Sequence, residues 1–119
     1  MNLDTAVFYT NDIDKIIKFY RDTLGFNLEY QDSDRYVSFI FSNGVKLGIK
    51  KKDKERELPG AQTVILSMES GIEVWYESLK QKNIPIYKEL TIQKWGKNFS
   101  ALDPDKNKVE FVERSAEVQ

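Results

Sequence analysis

The chain has 119 residues, 40% of them apolar and 31% charged, and a formal net charge of −1. That length suits one compact unit or two small halves sharing a core, and the near-neutral charge supplies no general attraction for nucleic acid or an anionic membrane. Histidine and cysteine are both absent, which removes disulfides, thiol nucleophiles and the usual imidazole and thiolate metal ligands.

Leu3 to Thr10 is a β-branched and aromatic run, read as a strand. It breaks at Asn11 and Asp12, whose side chains can accept the free amides of a helix start. Ile13, Ile16, Ile17, Tyr20 and Leu24 follow helical spacing, and Gly25 suits a helix end. Strands are expected over Phe26 to Gln31, Tyr36 to Ser42 and Val45 to Lys50, with turns at Asp32 to Asp34 and at Asn43-Gly44. Lys50 to Glu57 alternates charges, lacks apolar residues and leads into Pro59-Gly60, so it reads as a solvated linker.

The order then repeats. Thr63 to Met68 reads as a strand, and Ser70 with Glu73 gives a capping-box signal for a helix carrying Ile72, Trp75, Tyr76 and Leu79. Strands are expected over Ile84 to Leu90, Phe99 to Leu102 and Lys108 to Glu113, with a turn at Asp103-Pro104-Asp105 and a frayed tail from Ser115. The reading is one domain over residues 1–119, with modules at 1–50 and 62–114 joined by a linker at 51–61.

Alternation assigns faces to the strands. Ala6 and Phe8 are expected to meet the helix, with Leu47, Ile49, Val109 and Phe111 in the core. Thr5, Val7, Tyr9, Tyr36, Ser38, Lys46, Gly48, Lys50, Thr63, Ile65, Ser67, Glu110 and Val112 fall on the opposite face, a mostly apolar lining with a few polar anchors. Glu110 either faces a ligand amine or hydroxyl, points to solvent at a short edge strand, or pairs with a lysine such as Lys46 or Lys50. Trp75 belongs to the helical apolar stripe, whereas Trp95, beside Gly96 and Lys97, is a candidate lid. Glycine-rich phosphate loops, a nucleophile with a histidine base, and a second carboxylate to share acid and base roles with Glu110 are all missing, so no catalytic residue is assigned.

Val7-Phe8-Tyr9-Thr10-Asn11-Asp12-Ile13-Asp14-Lys15, followed by Phe19-Tyr20-Arg21 and Leu24-Gly25-Phe26, resembles the first βα unit of the glyoxalase, bleomycin-resistance and extradiol dioxygenase (vicinal oxygen chelate) superfamily. Trp95-Gly96-Lys97, Asp103-Pro104-Asp105-Lys106-Asn107 and Val109-Glu110-Phe111 resemble the segments around that family's last strand. The resemblance implies an α+β fold of two βαβββ modules, whose curved, cup-like mixed sheet carries its helices outside. It also implies metal ligands on the first and last strand of each module, which here fall on Thr5, Gly48, Thr63 and Glu110. Only Glu110 is a ligand-type side chain, and about three protein donors are needed.

The expectation is therefore no metal or other cofactor, and a protein that binds a small aromatic or cationic molecule such as an antibiotic. The alternatives are a glyoxalase-like lyase, isomerase or dioxygenase with a non-standard or absent metal site, and an interaction module with a filled cup. The resemblance further implies a homodimer. Without an export signal or an apolar run near the ~18 residues of a membrane span, the expected location is cytoplasmic. Lys106 stands where the family's turn has glycine, so a left-handed residue is expected to move to Asn107 or to cost ~1 kcal/mol.

Overall fold

A computed structural model describes residues 1–115. The fold is α+β, and the chain divides into two compact units, Met1–Ala61 and the remainder from Gln62. Each repeats the order strand, helix and three strands.

In the first unit, β1 (Thr5–Thr10) leads to α1 (Ile13–Ile17), capped by Asp12, whose Oδ1 accepts the Lys15 amide at 3.2 Å. The helix then widens into a π-type turn over Lys18–Thr23, where the Leu24 amide reaches back to the Phe19 carbonyl at 2.9 Å. This departs from the uniform α-helix that the spacing predicts. The wider turn still presents Phe19 and Tyr20 inward, and Gly25 ends it at φ 80°. β2 (Asn27–Asp32), β3 (Tyr36–Ile40) and β4 (Lys46–Lys51) complete a sheet of order β1-β4-β3-β2, in which β1 and β4 run parallel. Ile13, Ile16, Ile17 and Tyr20 pack with Phe8, Val37, Phe39, Leu47 and Ile49, all buried. Each such side chain contributes roughly 1.5 to 3 kcal/mol of burial. Ala6 is exposed, contrary to expectation, because β1 is a sheet edge and buries only its later residues Phe8 and Thr10. Only Gly44 of the Asn43-Gly44 pair takes positive φ, at 86°, inside a wider loop closed by the Phe41 amide on the Val45 carbonyl.

The expected solvated linker is folded back. β4 runs on through Lys51, and Glu57 is buried. Its carboxylate accepts the Asp53 amide at 2.9 Å and two contacts from Lys50 Nζ at 3.0 Å, while Lys52 Nζ donates to the Glu57 carbonyl at 2.6 Å. The Asp53 amide, and then the Lys50 ammonium, hold the Glu57 carboxyl down to about 2 against the opposing effect of its burial. A segment without apolar residues thus gains its order from charge and backbone pairing, which hydropathy does not register.

In the second unit, β5 (Thr63–Ser67), α2 (Ile72–Gln81), β6 (Ile86–Gln93), β7 (Gly96–Leu102) and β8 (Lys108–Arg114) form a sheet of order β5-β8-β7-β6, again parallel at β5 and β8. Ile72, Tyr76 and Leu79 cover Phe99, Ala101, Val109 and Phe111, with Phe99 and Phe111 stacked at 5.0 Å. Trp75 is half-buried, edge-on to Phe111 at 5.9 Å. The Tyr76 hydroxyl donates to Glu89 and ties α2 to β6. That bond to Glu89, with burial, raises the Tyr76 phenol above its ordinary range.

The expected capping box does not form. Gly71 is the cap residue at φ 84°, and Glu113 Oε1 on β8 accepts the Ile72 amide at 3.1 Å. Glu73 instead pairs with Lys97 at 2.7 Å. A tertiary carboxylate has taken the place of a local one. Lys106 itself adopts φ 71°, rather than passing that conformation to Asn107. Asn107 is held by Asp103, which accepts its amide at 2.8 Å and its Nδ2 at 2.9 Å, while Asn107 Oδ1 accepts the Gln62 amide at 3.1 Å. The Ser115 amide donates to the Trp95 carbonyl at 2.9 Å, and the rest of the expected frayed tail lies outside the described residues. Among the described residues, no helix is long and apolar enough to cross a membrane.

Candidate functional site

In the first unit, the sheet face away from the helix carries Thr5, Val7 and Tyr9 from β1 opposite Lys46, Gly48 and Lys50 on β4. Ile40, Ser38 and Tyr36 on β3 oppose the same three β4 residues. The eight first-unit positions singled out from the sequence therefore share one sheet face, with Val7 41% exposed and Ser38 3% exposed.

The Tyr36 phenol lies directly over Gly48. A Cβ at position 48 would stand 2.2 Å from the Tyr36 hydroxyl oxygen and 3.1 Å from the Thr5 methyl, so the space of a side chain is already filled. Burial raises the Tyr36 phenol above its ordinary range, with Lys46 opposing that shift and Glu29 and Asp4 adding to it.

Glu29 is a residue that sequence reasoning missed. The β2–β3 register shifts between Leu28 and Tyr30, so Glu29 is the extra residue of a bulge. Its Oε1 accepts from Ser38 Oγ at 3.2 Å, and its Oε2 stands 3.5 Å from Lys46 Nζ. A single extra residue reverses alternation locally, and only the strand register reveals it. Lys50 is occupied by Asp53 at 2.9 Å and Glu57 at 3.0 Å. Both lysines considered as partners for Glu110 therefore have partners within their own unit. A hollow of about 470 Å³ at the end of this sheet is lined by Tyr36, Arg35, Lys50 and their neighbours, with Arg35 paired to Asp32 and Lys51 to Asp34.

The second unit repeats the register with other side chains. Thr63 opposes Lys108 as Thr5 opposes Lys46, and Ile65 opposes Glu110 as Val7 opposes Gly48. Ser100 opposes Glu110 as Ser38 opposes Gly48. Glu110 thus occupies the position equivalent to Gly48. It is half-buried, and among the described residues of its unit no hydrogen bond or ion pair reaches its carboxylate. Beside it Ser100 is 1% exposed, and Asn98 accepts the Thr91 hydroxyl at 2.8 Å. Ile65 is 59% exposed.

The structure brings Thr63, Ile65 and Glu110 together on one face but leaves Trp95 apart from them. Trp95 sits in the turn between β6 and β7, with its ring 5.5 Å from the Arg114 guanidinium. Arg114 is farther along β8 than Glu110 by roughly 13 Å at about 3.3 Å per residue. Gly96 explains the tryptophan-glycine pair. At φ 147°, a Cβ there would meet the Glu113 carbonyl oxygen at 2.2 Å.

These positions do not fit a divalent-metal centre. Thr5 Oγ1 donates to Asp4 at 2.7 Å, the side-chain space at Gly48 is filled by Tyr36, and Glu110 is the lone carboxylate of the inherited set. Among the described residues, no three His, Cys, Asp or Glu side chains gather.

A family model described as Glyoxalase/Bleomycin resistance protein/Dioxygenase superfamily matches residues 2–111. A comparison with curated protein sequences found no match. Among solved structures, the chain is similar to an antibiotic-binding protein, TnmS3, from a Streptomyces species, with 18% identity, 97% of each chain covered and a TM-score of 0.81. It is also similar to a lactoylglutathione lyase from Agrobacterium tumefaciens, with 17% identity, 94% of this chain and 92% of the other covered and a TM-score of 0.80. A glyoxalase/bleomycin resistance protein/dioxygenase from Alicyclobacillus acidocaldarius shares 21% identity over 99% of this chain and 96% of the other, with a TM-score of 0.71. At these identities the likenesses establish the fold alone.

Proposed function

The chain belongs to the glyoxalase/bleomycin resistance protein/dioxygenase superfamily, and from that premise we propose that it is a metal-free binding protein for a small molecule with an apolar or aromatic body. The observation that carries this reading is Glu110, a half-buried carboxylate without a partner among the described residues of its unit, set beside Ser100 and the exposed Ile65. A basic or hydroxyl group of the ligand would complete Glu110 with a charge-assisted hydrogen bond, contributing ~1.5 to 3 kcal/mol. Thr63 and Ile65 supply walls on that sheet. The antibiotic-binding relative supports a compound of that kind as the first trial. The protein is proposed to work in the cytoplasm as a homodimer, which light scattering across micromolar concentrations tests.

The test has two arms. Elemental analysis of the purified protein is expected to find no stoichiometric zinc, manganese, iron or nickel, and one equivalent lost on Glu110→Gln would replace this reading with a metal enzyme. A thermal-shift screen of drug-like cations and anions, bleomycin-like compounds included, is expected to yield cationic hits that Glu110→Gln weakens by about tenfold. Hits that are exclusively anionic, or undiminished in the variant, would refute the role given to Glu110.

A further inference from the structure

A second polar centre lies on the first sheet, and its geometry points to a cation. Tyr30 and Tyr36 project on the same face, with ring centroids 6.3 Å apart and planes at 47°, and Tyr30 is 55% exposed. Glu29, thrown to that face by the bulge, has one oxygen on Ser38 and the other facing Lys46 across 3.5 Å. This is a looser ion pair than the 2.7 Å contact between Lys97 and Glu73. Both members of the Glu29–Lys46 pair are about one-third exposed.

The second unit supplies an internal control. There the β6–β7 register shifts between Ile86 and Lys88, making Tyr87 the counterpart of Glu29, and Lys108 is the counterpart of Lys46. Lys108 Nζ lies over the Tyr87 ring at 5.1 Å. In both halves, then, the bulge residue of the second strand seats an ammonium from the last strand, once on a carboxylate and once on an aromatic face. Only in the first half is the seat a carboxylate flanked by a ring pair and held by a long contact.

We propose that Glu29, Tyr30 and Tyr36 form a receptor for an organic ammonium group, with Lys46 as the resident cation that the ligand displaces. The carboxylate neutralises the incoming charge, and the wedge between the two rings accommodates alkyl groups on nitrogen within the ~6 Å over which a ring quadrupole attracts a cation. Asp4 reinforces the preference, because its charge also acts on the Tyr36 phenol while it accepts from the neutral Thr5 hydroxyl. The proposal rests on reading the protein as a small-molecule binder but not on Glu110.

The experiment is a titration of ¹⁵N-labelled protein with choline and, separately, with its neutral carbon isostere, a dimethylbutanol, followed by amide chemical shifts. Choline is expected to move the Glu29, Tyr30, Tyr36 and Ser38 amides, and the neutral isostere is expected to leave them in place. Glu29→Gln should weaken choline about fivefold, whereas Lys46→Met should tighten it by about threefold or more by removing the competitor. That gain is a signature a merely structural lysine would not give. Equal shifts with the neutral isostere, or unchanged or weaker binding in Lys46→Met, would overturn the proposal. Shifts confined to the strand of Glu110 would overturn it while leaving the small-molecule reading intact. Absence of binding by choline and by every compound of the thermal-shift screen would defeat both.

Discussion

The two units use one backbone plan to opposite ends. On the first sheet the charged groups are paired, one pair loosely: Ser38 and Lys46 both turn to Glu29, Lys50 to Asp53 and Glu57, and Tyr36 roofs the sheet position without a side chain. On the second, the residue in register with Gly48 is Glu110, and nothing in its unit satisfies it. The register fixes where a side chain can stand, but the neighbours decide whether it is spent on the fold or left for a ligand.

The two constrained glycines give the largest expected contrast. Gly96→Ala should cost on the order of 3 kcal/mol, because the new Cβ meets a strand carbonyl that cannot withdraw. Gly48→Ala should cost only ~1 kcal/mol, since the tip of Tyr36 can swing aside. Denaturant unfolding of both variants checks this, and equal losses would mean that Tyr36 is as immovable as backbone. Next come the loops before each last strand. Asn107→Ala removes the acceptor of the Gln62 amide and a buried donor to Asp103 and should cost ~2 kcal/mol, whereas Asn43→Ala, on an exposed loop, should stay within ~0.5 kcal/mol.

The segment folded back onto the first sheet adds a pH signature. Glu57 has its folded-state value lowered to about 2 from 4.5, so its contribution to stability is fully present above pH 4.5 and is lost as pH falls toward 2. Glu57→Gln should flatten that part of the stability profile, and an unchanged acid limb would remove the carboxylate from the account. The smallest effect sharpens the comparison most. Glu110→Gln should alter stability by less than ~0.5 kcal/mol, because no partner within its unit is lost. A drop of ~2 kcal/mol would mean that Glu110 is satisfied after all and belongs to the fold.

How far the sequence could be read follows from where each signal resides. The element order was legible because each element carries its own signal: helical spacing at Ile13, Ile16 and Ile17, alternation along β3 and β4, and a capping aspartate at Asp12. The helix start at Ile72 misled because its acceptor, Glu113, comes from a strand distant in sequence, which no local window contains. Glu29 was invisible for another reason. Period-two reasoning assigns it to a face by counting, and a bulge is a miscount that only pairing reveals. The linker misled through its composition, since Glu57 is buried by ion pairing and amide bonds rather than by hydrophobicity. Thr5, Gly48, Thr63 and Glu110 were legible as a set of positions, but Tyr36 as the occupant of the space above Gly48 was not, because a glycine's neighbours are not written beside it.

The phenol lying across Gly48 also constrains what this chain can become. A donor side chain introduced at position 48 alone would collide with Tyr36. Trimming Tyr36 first would uncover a notch with nothing to fill it. A small side chain at 48 displaces only the tip of Tyr36, but a longer one and Tyr36 compete for the same space, so the two positions are coupled. Seating a long donor side chain at position 48 calls for a paired change at Tyr36, which a library that varies one codon at a time does not sample.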